Sequence, residues 1–169
     1  MTATPAASLA GILRKRPTVN SAAGRPVPGH LIPGHPVPGD DDSVAVIAWW
    51  SALKRGRAYP APADLDRGAI GAAWPEAVLL SDGGSGGDIA RATRLGGRGA
   101  FGNGAVEHSA MLTEFLLAVG RTAIARGAPV EEVRDFPSAG GRAAYRILAL
   151  PLSAGGDAPD HVLCHLRRA

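Results

Sequence analysis

An α+β fold, in which a five-stranded antiparallel sheet carries helices on one face and is flanked by an N-terminal helix, is what this sequence predicts. Three observations lead there. The last third reads as a hairpin: Ala143 to Leu150 and His161 to Leu166 are apolar strand-like runs, and the Pro, Gly and Asp content of residues 151–160 lets the chain return antiparallel. The stretch from Val106 to Arg126 places Leu112, Phe115, Leu116, Val119 and Ala123 at three- and four-residue intervals, the stripe of a core-facing helix. The full order is helix, short helix, strand, strand, helix, then three strands, and runs of strands set against helices in this way make an α+β domain.

Length and composition bound the rest. A chain of 169 residues holds one domain with a real core, plus appendages. Its 23 glycines and 14 prolines are unevenly spread, so they divide it into a Pro/Gly-rich arm, residues 1–42, and a folded part, residues 43–169. The formal charge is +3, but the arginines are scattered singly, so no nucleic-acid partner is expected. One cysteine excludes an internal disulfide framework, and Cys164, inside an apolar strand, reads as a small buried hydrophobe. No apolar run approaches the roughly 18 residues a spanning helix needs, and no leader pattern is present, so the expected location is cytoplasmic, with no membrane partner.

Taken in order, the arm carries one phrase three times: Val27-Pro28-Gly29-His30, Ile32-Pro33-Gly34-His35 and Val37-Pro38-Gly39-Asp40. Proline removes a donor and glycine raises the entropy of ordering, so the arm is not expected to form helix or sheet by itself. His30 and His35 have no third ligand beside them, and no metal is expected. The run Asp40-Asp41-Asp42-Ser43 supplies an N-cap for a helix reaching Arg55, stopped by Gly56. Its apolar residues are Val46, Ile47, Trp49, Trp50 and Leu53, and the adjacent tryptophans point about 100° apart. Either both pack inside, or one faces a partner subunit. A short helix follows, capped by Asp64 or Asp66 and ended by Pro75. Strands are expected from Ala77 to Leu80 and from Ile89 to Leu95. The five glycines between Gly96 and Gly104 lack the Gly-Lys-Ser/Thr and the spacing of phosphate-binding loops, and they read as a bend. Gly127 and Pro129 end the long helix, and Val130 to Phe136 alternates as an exposed strand would.

Within that order, the phrase Trp50-x-x-Leu53-x-x-Gly56-Arg57-x-x-Pro60-x-x-x-Asp64-Leu65-Asp66, continued by Ile70, Pro75 and the strand to Leu80, resembles the start of a bacterial PAS-like family whose members begin with a tryptophan-bearing helix. Tyr145 to Leu152, with Leu150-Pro151-Leu152-Ser153, resembles its penultimate strand, and His161 to Leu166 its last. The chain departs from the family at Pro62, where an arginine after Pro60 is expected, and at Arg67, where a proline after Asp66 is expected. The segment from Gly96 to Ala105 is also shorter than the helices that close the ligand cavity in PAS folds, so no cofactor is expected.

Enzymatic signatures are weak. His108 and Ser109 are helix neighbours that point apart, Glu107 and Glu114 read as solvated charges, and His161 and His165 stand about 13 Å apart on one strand, too far to share an ion. No catalytic residue or metal ligand is assigned. The resemblance implies a non-enzymatic sensory or regulatory module in bacterial signalling, acting through a small-molecule ligand, a protein partner, or a homodimer formed by the N-terminal helix. The ligand would lie between sheet and long helix, near Leu79, Ala92, Phe101, Phe115, Tyr145 and Ile147. The partner contact would use Val46, Trp49, Trp50 and Leu53. The rival readings are a small α+β enzyme with His108, Glu107 or Arg146 in its pocket, and a purely structural interaction domain without a ligand.

Overall fold

The computed structural model of the chain describes residues 36–39, 42–82, 89–96, 106–138, 141–155 and 157–169, all within one compact unit, Leu31–Ala169. Helix α1 (Ser43–Leu53) begins at Asp42, whose carboxylate accepts from the N–H groups of Val44 and Ala45 at 2.9 and 3.2 Å. That fills two of the donors a first turn leaves open. The helix stops two residues before the expected Arg55, because Arg55 and Gly56 both take left-handed backbone, with φ of 49° and 82°. Arg57 then donates to the carbonyls of Leu53 and Lys54 at 3.3 and 3.1 Å, closing the open end. The guanidinium is held by Asp64, whose carboxylate also accepts from the Ala61 N–H at 3.2 Å. A single 3-10 turn, Pro62–Asp64, leads to helix α2 (Arg67–Ala73), capped by Asp66.

The strands are β1 (Val78–Asp82), β2 (Ile89–Arg94), β3 (Val130–Ser138), β4 (Gly141–Leu152) and β5 (His161–Arg168), and helix α3 (Val106–Arg126) lies between β2 and β3 in sequence. They form one antiparallel sheet in the order β2-β1-β5-β4-β3, with a bulge between Ser81 and Asp82. The expected open five-stranded sheet and its C-terminal hairpin are present. Helix α3 ends in a Schellman motif: Ala128 N–H reaches the Ala123 carbonyl, Gly127 N–H reaches that of Ile124, and Gly127 has φ of 60°.

The central strands are apolar on both faces, and this decides where the helices go. Val78, Leu80, Ile147, Ala149, Val162 and Cys164 face α3 and pack with Leu112, Phe115, Leu116, Val119 and Ala123. Leu79, Leu148, Leu150, Leu152 and Leu163 alternate with them on the other face, where Val46, Trp49, Trp50, Leu53, Ile70 and Trp74 cover them. A sheet with two apolar faces needs a layer on each. The long helix therefore takes one face, and α1 and α2 take the opposite one. Contact with α3 is close at Gly120, where an added Cβ would stand 2.7 Å from Leu80 Cδ1.

Candidate functional site

Two stretches that carried the resemblance, one near each end of the folded part, lock together on the α1 side of the sheet. The Trp50 indole donates to the Pro151 carbonyl at 2.9 Å, and the Ser153 N–H donates to the Pro60 carbonyl at 3.0 Å. Proline at 151 has no N–H of its own, and its carbonyl is engaged by the tryptophan. Lys54 Nζ lies 4.0 Å above the Trp50 ring, which completes the anchor at the exposed edge. Arg57, Pro60 and Asp64 of the same phrase form the turn that returns the chain from α1 to α2. The phrase thus acts as a joint between helix and sheet.

Deeper in this layer, Trp49, Trp74 and His165 form a chain of rings. Trp49 meets Trp74 edge-on, with centroids 5.3 Å apart at 81°, and Trp74 meets His165 at 4.7 Å and 46°. Trp74 is fully buried, and its indole donates to the Pro38 carbonyl at 2.9 Å. Trp49 Nε1 is buried with no hydrogen-bond partner among the described residues. The four residues expected at a partner interface are thereby accounted for: Val46, Trp49, Trp50 and Leu53 are buried in the chain's own second core, at 0, 8, 3 and 6% exposure. Their apolar surface is covered by the sheet, so they form no exposed patch.

The residues expected to line a ligand site are divided by the fold. Phe115, Tyr145 and Ile147 share the core beneath α3. Phe136 joins them, with ring centroids 5.5 Å from Phe115 and 5.8 Å from Tyr145, and Arg134 lies 4.4 Å over the Phe115 ring. Leu79 sits on the opposite face, with the tryptophans, because strand alternation sends it away from its neighbours Val78 and Leu80. Ala92 is exposed on the edge strand β2. Phe101 lies outside the described residues, as do His30, His35 and the side chains of Glu107, His108 and Ser109. Arg146, a candidate of the enzyme reading, pairs with Val133 and lies on the sheet face away from α3, 3.5 Å from Glu131.

Past the start of α1, where the Ser43 hydroxyl donates to Glu131 at 2.7 Å, the outer face is only partly covered. Val133, Arg146 and Arg167 stand in register across β3, β4 and β5, so their side chains share this face. Glu131 and Asp135 flank Val133 on β3, and Arg142 lies two repeats from Arg146 on β4, past Ala144. Val133 is 57% exposed, an apolar side chain within the acidic row of β3 and beside the basic row of β4. The pairs Arg146–Glu131 and Arg142–Asp135 span the two rows at 3.5 and 3.9 Å. Sequence reading missed this strip, although the alternation of Glu131, Val133 and Asp135 was its signal.

At the other end of β5, His161 Nδ1 lies 2.7 Å from an Asp160 carboxylate oxygen that also accepts the Ala154 N–H at 2.9 Å. Partial burial raises the Asp160 pKa, but the bonds from His161 and Ala154 and the nearby imidazole charge outweigh it and hold the carboxyl below its usual range. Cys164 is the opposite case: full burial pushes its thiol up to about 12, so it is not a nucleophile. No group of three or more His, Cys, Asp or Glu side chains able to hold a metal ion occurs among the described residues, and none of their helices is long and apolar enough to cross a membrane. Compared with known protein families, curated proteins and solved structures, the chain matches none.

Proposed function

We propose that this chain is a PAS-like regulatory module that works by associating with a second copy of itself through the open strip of the outer sheet face. The five-stranded antiparallel sheet crossed by one long helix supports the PAS resemblance. Contact is favoured over ligand sensing because Phe115, Tyr145 and Ile147, expected around a ligand, pack instead against one another and Phe136.

The observation that carries the proposal is the exposed Val133, set between Glu131 and Asp135 on β3 and beside the row of Arg142 and Arg146 on β4. An apolar centre with a polar rim is the anatomy of a contact surface. Parallel acidic and basic rows are self-complementary under a two-fold axis, which sets each acidic row over the other copy's basic row. Native mass spectrometry of the full chain tests this, with Val133→Glu as the comparison. The expected result is a dimer without a retained small molecule, and loss of that dimer in Val133→Glu. A stoichiometric bound metabolite would move the reading to a ligand sensor. A monomer at high micromolar concentration would remove the contact surface.

A further inference from the structure

The end of the arm is built into the α1–α2 layer by two contacts. Val37 packs against the core cluster that contains Trp49, Trp74 and Leu79, and the Pro38 carbonyl accepts the buried Trp74 indole N–H at 2.9 Å. Gly39 is not used sterically, since an added Cβ there would meet nothing within 4 Å. What this seat reads is an aliphatic side chain followed by a proline carbonyl. The arm holds the same pair five and ten residues earlier, at Ile32-Pro33-Gly34 and Val27-Pro28-Gly29, both outside the described residues.

We infer that the Trp74 seat is a recognition site for an aliphatic-Pro segment rather than for residue 37 in particular, and that Ile32-Pro33 of the same chain is its second occupant. Isoleucine supplies every apolar atom that valine does, and the proline carbonyl is the same acceptor. Asp42, which caps α1, can stay where it is: the link from Gly39 to Asp42 is three residues, and from Gly34 to Asp42 it is eight, so a slip by one repeat loops out five residues without moving the helix. Tethering on a short linker keeps the second copy of the phrase at high effective concentration beside the seat. The arm then has more than one register, and the registers differ in the length of chain between the seat and α1.

The test uses the ¹⁵N-labelled full chain carrying Val27→Asp throughout, which removes the arm's third copy of the pair, with the three indole N–H signals assigned by single Trp→Phe variants. Trp50, bonded to the Pro151 carbonyl, reports folding in the same spectrum. In Val37→Asp the Trp74 indole is expected to keep its shift and its slow hydrogen exchange, because Ile32-Pro33 takes the seat. In the double variant Val37→Asp/Ile32→Asp its exchange is expected to quicken by about tenfold or more, with the Trp50 signal unchanged. The inference is overturned if Val37→Asp alone frees the Trp74 indole as fully as the double variant, or if the double variant leaves it protected. Protection in Val37→Asp that falls on dilution would also overturn it, by placing the donor on a second copy.

Discussion

The adjacent tryptophans of α1 allow a sharp test of how hydrogen bonding divides the labour between them. Replacing either by phenylalanine shrinks a buried ring, and since Trp49 and Trp50 are 8 and 3% exposed, the cavity left behind costs about the same in each case. The polar consequences differ in sign. In Trp50→Phe the buried Pro151 carbonyl loses its indole donor, a penalty of about 1–3 kcal/mol. In Trp49→Phe a buried donor with no partner among the described residues disappears, which returns about 1–3 kcal/mol. Trp50→Phe should therefore be the more damaging by about 2 kcal/mol or more, roughly 30-fold in the unfolding equilibrium. Urea unfolding followed by far-ultraviolet circular dichroism measures this, provided the slopes match and the midpoints are compared. Equal midpoints, or a lower one for Trp49→Phe, would refute the assignment of Trp50 as the anchor of α1.

Three further outcomes follow from the same contacts. Gly71→Ala places a Cβ 2.1 Å from the Leu95 carbonyl oxygen, so thermal melting should show a loss of about 1–3 kcal/mol or more, whereas Gly68→Ala in the same helix meets its nearest atom at 3.5 Å and should be neutral or stabilising by up to about 1 kcal/mol. Cys164 should resist iodoacetamide at pH 8 in the native protein and react once urea unfolds it, because its thiol titrates near 12 only while buried. The folded pKa of Asp160 lies below its unfolded value near 3.8, so its stabilising effect is complete above that value and is lost as pH falls through the lower folded one. Asp160→Asn should accordingly flatten the acid limb of stability against pH, and an unchanged limb would show that the His161 and Ala154 bonds do not hold the charge.

Local chemistry made several elements legible. Asp42 and Asp66 cap because a carboxylate ahead of a helix meets open N–H groups, and Gly127 ends α3 because its φ of 60° suits glycine. The stripe from Leu112 to Ala123 marks one buried face of α3, and it is the face that packs. Element ends were less visible: β4 extends through Pro151 and Leu152, and β5 through Arg168, because pairing with a neighbour carries a strand past the residues whose pattern announces it. The C-terminal hairpin was readable from its turn residues.

What the residues decided alone, then, was the sequence of helices and strands, each from periodicity and capping within a few positions of itself. Which face of the sheet receives which helix was settled by contacts over long separations, such as Trp50 with Pro151, 101 residues apart. Period-two alternation separates Leu79 from Leu80 but does not say which of the two meets α3. For the same reason the tryptophans of α1 left both a core and an interface reading open. Their burial depends on the unoccupied apolar face of β1, β5 and β4, and that face exists once the strands have assembled.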